Sequence, residues 1–422
     1  MEQGLIFGCI ADDFTGGSDA ASFLAAGGMN TILYSGIPSP GFRLPEDCEA
    51  VVIALKSRTQ ETSVAVADSL GAVRWLQEQG ATHFYIKYCS TFDSTPSGNI
   101  GPVVDAALEF LDVPCTLLCP ALPANGRTVK DGILYVNGVP LAESPMKDHP
   151  LTPMWESRIS KLMEPQSKYP AMELPSQLLR GRRQDMMDVI SDFSKGQEHC
   201  YLIPDYTVDT DAEVIADAFG SFKVLSGGSG LLTALARRLK KGGAPQTVST
   251  RTSGPAVILA GSCSVATNAQ TNYYLSHGGA AVRLEDAQIL NGRQTPDALW
   301  AQARTLDTDA PLIYAWESSE GLKAKRNAEG KALSALIEKT LAETAALAAA
   351  DGVRRIIVAG GETSGAVTRR LGYRTFRIGQ SIAPGVPILI PLEQPDVRLV
   401  LKSGNFGQED FFSRALTMTK EL

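Results

Sequence analysis

Short apolar runs that break at their carboxyl ends into dense polar clusters recur along the first part of the chain. Ile6–Ile10 runs into Ala11-Asp12-Asp13-Phe14-Thr15-Gly16-Gly17-Ser18-Asp19, and a small-residue helix follows that stops at Gly27-Gly28. Glu49–Leu55 runs into Lys56-Ser57-Arg58-Thr59-Gln60, followed by a helical pattern from Ser63 to Gln79. His83–Cys89 runs into Ser90–Asn99 and a helix through about Leu111, and Cys115–Cys119 runs into Pro120–Thr128. Strand, polar loop and helix in alternation predict βαβ units and a parallel sheet. The carboxyl ends of such strands share one edge, so Asp12, Asp13, Arg58, Lys87, Asp93 and Arg127 are expected to converge there.

The pattern then weakens. Residues 130–175 are Pro-rich with little periodicity, which predicts a functional loop, a lid or a disordered insert. Regular patterning resumes around Leu178–Phe193, with strands expected near Cys200–Pro204 and Lys223–Leu225. Ser226-Gly227-Gly228-Ser229-Gly230 then opens a strong helix and offers an anion cradle, a weak signal taken alone. Lys240–Gly254 concentrates Gly, Ser, Thr and Pro and reads as a linker between domains spanning 1–239 and 255–422. Beyond it, three apolar runs end in Gly/Ser turns: Gly261-Ser262-Cys263-Ser264, Gly360-Gly361-Glu362-Thr363-Ser364-Gly365 and Lys402-Ser403-Gly404-Asn405-Phe406-Gly407. Glycine lets a backbone approach phosphate closely, and clustered N–H groups bind its charge. Three such turns in one domain favour a nucleotide. The fold expected is therefore two α/β domains with mainly parallel sheets, the active site lying in a cleft between them.

Composition narrows the partners. With 44% hydrophobic and 20% charged residues the chain is an ordinary globular one. A net charge of −7 argues against a general nucleic-acid or anionic-membrane binder. No apolar run approaches a membrane span and no signal-like N-terminus is present, so a cytoplasmic location is expected. Seven scattered cysteines and four histidines show no metal-ligand spacing. A disulfide scaffold and a structural zinc are disfavoured, and buried reduced thiols are expected.

The chemistry centres on Asp12-Asp13. Asp is a favoured helix cap, so the pair has a purely structural reading. Cations gathered on the same sheet edge favour instead a site for a small, polar, partly anionic molecule.

Ala11–Gly16, Gly360–Gly365 and Lys402–Gly407, in that order, resemble the four-carbon acid sugar kinase family over nearly the whole chain. Lys87–Thr95, Gly98–Pro102 and His149–Met154 look like the branch acting on 3-oxo-tetronate rather than on D-threonate or D-erythronate, which remain the alternative substrates. The resemblance implies an N-terminal acid-sugar domain, a C-terminal ATP-binding domain, and ATP-dependent phosphorylation of the substrate's 4-hydroxyl with Mg²⁺. Asp12 is favoured as the base, with Asp13 orienting the loop or reaching Mg²⁺; which of the two acts stays open. Thr15, Arg58, Lys87, Asp93, Arg127, Ser229 and Gly230 are the candidate substrate residues. Ser262, Ser264, Gly360, Gly361, Glu362, Thr363, Gly404 and Asn405 are the candidate ATP residues, and no metal ligand is assigned. A homodimer is left open. Two readings of other classes are a phosphohydrolase, with the aspartates on Mg²⁺ and one of them phosphorylated, and a non-catalytic acid-sugar sensor.

Overall fold

A computed structural model of the chain describes residues 5–149, 152–240, 249–316 and 328–421, with backbone only at 328, 329 and 331. The chain divides into two compact units, Met1–Gln246 and Thr247–Leu422. Most of the predicted linker, residues 241–248, lies outside the described residues, as do Pro150 and Leu151.

The first unit is built on five parallel strands in the order Val224–Gly227, His83–Lys87, Phe7–Ala11, Ala50–Ala54, Thr31–Ser35. Phe7–Ala11 and Ala50–Ala54 are buried at every position, as strands covered on both faces must be. Register aligns their carboxyl ends, with Ala11 opposite both Ala54 and Lys87, and Lys87 opposite Gly227. The segments that begin at Asp12, Leu55, Tyr88 and Gly228 therefore leave the sheet at one edge.

The expected fourth strand is a correction over most of its length, joining this sheet only where Cys119 bridges Gly227 in parallel. Cys115–Leu117 belongs to a separate three-stranded parallel sheet with Cys200–Pro204 and Ala171–Leu174. Cys115 and Cys200 lie opposite each other there, Cα atoms 4.7 Å apart, and form a disulfide. Two of the seven thiols expected to be reduced are thus paired, because parallel register brings together cysteines 85 residues apart. The segment expected to be a loop, lid or disordered insert is also largely built. Arg127–Lys130, Ile133–Val136 and Val139–Pro140 form an antiparallel meander, followed by the short helix Ile159–Met163 and the strand Ala171–Leu174.

In the second unit the parallel strands run Arg398–Lys402, Arg355–Ala359, Ala256–Ala260, Leu312–Tyr314, Ala281–Arg283. The hairpin Thr375–Ala383/Val386–Pro391 adds antiparallel to Arg398–Lys402. Ala260, Ala359 and Lys402 share one register, so the three Gly/Ser turns that follow them leave from a common edge. Ile258, Ile357, Val400 and Ile388 from these strands pack with Phe411 and Phe412 in one core. Both units are α/β with mainly parallel sheets, as expected. Among the described residues no helix is long and apolar enough to cross a membrane.

Candidate functional site

Asp13 is the N-cap of the helix Phe14–Ala26, accepting a hydrogen bond from the Gly16 N–H through its side chain. The structural reading of the aspartate pair is thus correct for Asp13. It is not the whole account, because both carboxylates also hold Arg58. The guanidinium donates Nε to Asp12 Oδ2 (2.8 Å) and Nη2 to Asp12 Oδ1 (2.9 Å), while Nη1 lies 2.8 Å from Asp13 Oδ2. Such a bidentate, charge-assisted fork sets orientation as well as charge. Burial opposes the charge on Arg58, but the two aspartates outweigh it and push its pKa up. Burial pushes the Asp13 carboxyl up and Arg58 pulls it back only partly, although 34% of the side chain stays exposed.

Lys87 ends its strand with 3% of its surface exposed. Its Nζ donates to the Tyr88 carbonyl (2.9 Å) and sits 4.0 Å from Asp19 Oδ2. That same oxygen accepts from Ser229 Oγ at 2.5 Å, while Asp19 Oδ1 is buried without a hydrogen-bond partner. Burial raises the Asp19 carboxyl as well, against the pull of Lys87 and Ser229. A Cβ at Gly16 would fall 2.7 Å from Asp13 Oδ1 and 3.3 Å from Lys87 Nζ, so only glycine lets these groups close around the helix start.

Gly16→Ala follows from this. An interior helical Gly→Ala change ordinarily gains about 1 kcal/mol. Here the added methyl displaces the capping carboxylate, and loss of a cap costs about 0.5–2 kcal/mol. The variant is expected to melt no higher than the parent and to lose activity; a clear rise in Tm with intact turnover would overturn this reading of the cap.

Asp12, Arg58, Lys87 and Asp93 line one cleft, together with Ser57, Ser69 and Asn99. Asp93 is oriented by Thr91 Oγ1 at 2.6 Å. Thr15 lies in the first turn of the capped helix, half-buried. Gly230 packs against the Ala121 carbonyl, where a Cβ would be 2.4 Å away, and its own carbonyl accepts from Tyr206 Oη. Arg127 is not among the cleft residues: it starts the meander and its guanidinium donates to the Asn125 carbonyl. Its run does reach the shared edge, where Cys119 bridges Gly227 in parallel, but the turn Pro123–Asn125 carries Arg127 onward into the meander.

The sequence reading missed three polar residues here. Asn99 holds the Arg58 loop by donating Nδ2 to the carbonyls of Ser57 (2.7 Å) and Gln60 (2.9 Å). Ser69 Oγ is buried in the cleft wall without a hydrogen-bond partner. Asp19 had a legible signal, since it stands one helical turn beyond Gly16 on the capped helix.

In the second unit, Gly360 adopts φ 129°, ψ 128°, a conformation that only glycine reaches without strain, and no side chain caps the helix Gly361–Leu371 that follows. The first N–H groups of that helix, on Gly361, Glu362 and Thr363, are thus presented at the sheet edge. Thr363 is buried and Glu362 exposed. Ser264 caps the helix Val265–Ser276 through Thr267 N–H and donates Oγ to the Gly404 carbonyl at 2.6 Å. Ser262 Oγ accepts from Ser264 N–H, and a Cβ at Gly404 would fall 2.5 Å from Ser262 Oγ. Asn405 is exposed at the tip of that turn. Free helix N–H groups beside hydroxyls and a glycine-only turn suit a polyphosphate.

An acid–base cluster on one α/β unit and a phosphate-suited edge on another define a two-domain protein pairing a polar small molecule with a nucleotide. Family models agree, one for a sugar-binding N-terminal domain over residues 7–235 and one for a nucleotide-binding C-terminal domain over 257–412. The chain belongs to the four-carbon acid sugar kinase family. It is 43% identical to a protein of Actinobacillus succinogenes named 3-oxo-tetronate kinase, over 98% of this chain and 100% of that one. A Brucella melitensis protein of the same name is 43% identical over 97% of this chain and 94% of its own. Among solved structures, a Salmonella typhimurium protein matches with a TM-score of 0.90 at 40% identity, covering 98% of this chain and 99% of that one. A Haemophilus influenzae protein matches with a TM-score of 0.81 at 42% identity, covering 97% and 99%.

Proposed function

We propose that this protein transfers the γ-phosphoryl group of ATP to the 4-hydroxyl of 3-oxo-tetronate, giving the 4-phosphate. The observation that carries this is the Asp12–Arg58–Asp13 cluster beside buried Lys87 in a domain of the sugar-binding family, on a chain more than 40% identical to proteins named for that reaction. Phosphoryl transfer asks for positioning and charge neutralisation rather than covalent chemistry by the protein.

In this reading Asp12 accepts the proton from the substrate hydroxyl. Arg58 occupies one lone pair on each of its oxygens, and each oxygen keeps another for the incoming hydroxyl. Asp13 fixes the loop as cap and second anchor of Arg58. Lys87 and the remaining N–H groups of Arg58 hold the substrate carboxylate, with Thr15, Asp93, Ser229 and Gly230 ordering its hydroxyls. Gly360–Thr363, Gly404, Asn405, Ser262 and Ser264 hold the ATP phosphates. Mg²⁺, when bound, would neutralise phosphate charge, a role that asks for few protein ligands.

The test is ADP release measured across four-carbon acids, with and without the 3-oxo group. The 3-oxo acid is expected to show the highest kcat/KM. A higher value for D-threonate or D-erythronate would move the assignment within the family, and phosphate-ester hydrolysis without ATP would overturn it.

A further inference from the structure

Lys402 is a buried cation that none of the roles above uses. It ends the strand Arg398–Lys402 with no exposed surface, its Nζ donating to Thr267 Oγ1 (3.0 Å) and to the Gly404 carbonyl (2.9 Å) and lying 5.9 Å from the centre of the Phe411 ring. An ammonium has three N–H groups, so one has no acceptor among the described residues. No carboxylate pairs with it there either. The charges on the neighbouring elements lie away from it: the helix Val265–Ser276 has no acid or base beyond its tyrosines, Gly361–Leu371 begins with exposed Glu362 and ends in Arg369 and Arg370, Arg355 and Arg398 stand at the far ends of their strands, and Phe411–Thr419 follows Asp410 and carries Arg414. Burial alone lowers the Lys402 pKa to about 7.

The Gly404 carbonyl receives three donors, Ser264 Oγ (2.6 Å), Thr267 Oγ1 (2.9 Å) and Lys402 Nζ. This carbonyl belongs to the turn whose glycine packs on Ser262 and Ser264. A lysine kept only to fill space could be a methionine, which would pack as well without a buried charge. When protonated, Lys402 has an unused donor beside the carbonyl of a phosphate-suited turn and no anion to meet it.

We propose that Lys402 is a positioning residue of the nucleotide site whose counter-ion is the bound polyphosphate, so that nucleotide binding and protonation of Lys402 are linked. This rests on the second unit binding nucleotide. Above pH 7 the empty protein carries Lys402 largely neutral, and an adjacent phosphate favours its charged form. Binding then takes up protons, up to about one at pH 8–9 and none near pH 6, and affinity falls by up to about tenfold per pH unit above 7.

The experiment is calorimetric binding of Mg·ADP at pH 6 and pH 8.5, in buffers of differing ionisation heat, to the full-length protein and to Lys402→Met and Lys402→Arg. Wild type is expected to take up protons at pH 8.5 beyond those of the nucleotide itself. Lys402→Met should lose that uptake and bind about tenfold or more weakly at pH 6; Lys402→Arg, always charged, should bind without the uptake. Undiminished proton uptake in Lys402→Met, or its tight binding at pH 6, would overturn the proposal alone. Failure of the wild type to bind any adenine nucleotide would overturn the nucleotide reading and this inference with it.

Discussion

Asp12→Asn lowers kcat by about two orders of magnitude or more and leaves ADP binding near the wild-type value. The substitution keeps the shape of the side chain and one acceptor for Arg58, and removes the basicity. The geometry also separates the two aspartates. Asp12 faces the cleft, whereas Asp13 is committed to the Gly16 N–H and to Arg58 Nη1. Asn is as good a helix cap as Asp. Asp13→Asn therefore costs little stability and less of kcat than Asp12→Asn. Steady-state ADP release from both variants decides between them. A larger loss in Asp13→Asn would give the base to Asp13, and unchanged turnover in Asp12→Asn would remove the general-base assignment.

That separation was only half legible in the sequence. The convergence of Asp12, Arg58, Lys87 and Asp93 follows from a local pattern, polar clusters after apolar runs, combined with the rule that parallel strands share a carboxyl edge. The pattern says where a strand ends and not which sheet it joins. Cys115–Leu117 reads like its predecessors, yet it pairs with Cys200–Pro204 and meets the first sheet only through Cys119 and Gly227, and Arg127 follows on a third sheet. Contacts across long separations were hidden for the same reason. Ser229 reaches Asp19 over 210 residues only because Val224–Gly227 pairs with His83–Lys87 beside Phe7–Ala11. In the second unit the Gly turns are legible in the sequence, and their shared edge follows from the apolar runs before them. Lys402 ends its apolar run as Lys87 does, but its cover by the helix Phe411–Thr419 and by Thr267 depends on contacts that the sequence does not display.

Arg58→Gln should move the acid limb of the pH–rate profile upward by about 1–3 units. Arg58 is the cation that touches both carboxylates, and the Asp13 carboxyl is already raised from its ordinary value because burial outweighs the pull of Arg58. Without the guanidinium, two adjacent acids share a partly buried site with Lys87 as the cation facing them, and one takes up a proton at higher pH. A proton held by the pair weakens its capacity to accept the substrate's proton, so activity disappears from the acid side first. Stability follows the same sign. A carboxyl whose folded pKa exceeds its unfolded value favours the folded state below the unfolded pKa, and that contribution is lost as pH rises through the folded pKa. The variant raises the folded pKa further, so its deficit against wild type should widen from pH 5 to pH 8. Removing one partner of a fully buried pair costs about 3–5 kcal/mol. With 23% of the Arg58 side chain and 34% of that of Asp13 exposed, about 1–3 kcal/mol is expected at pH 8. Urea unfolding at the two pH values measures the difference. An equal deficit at both would mean that Arg58 acts through packing, and the electrostatic account of the cluster would fail with it.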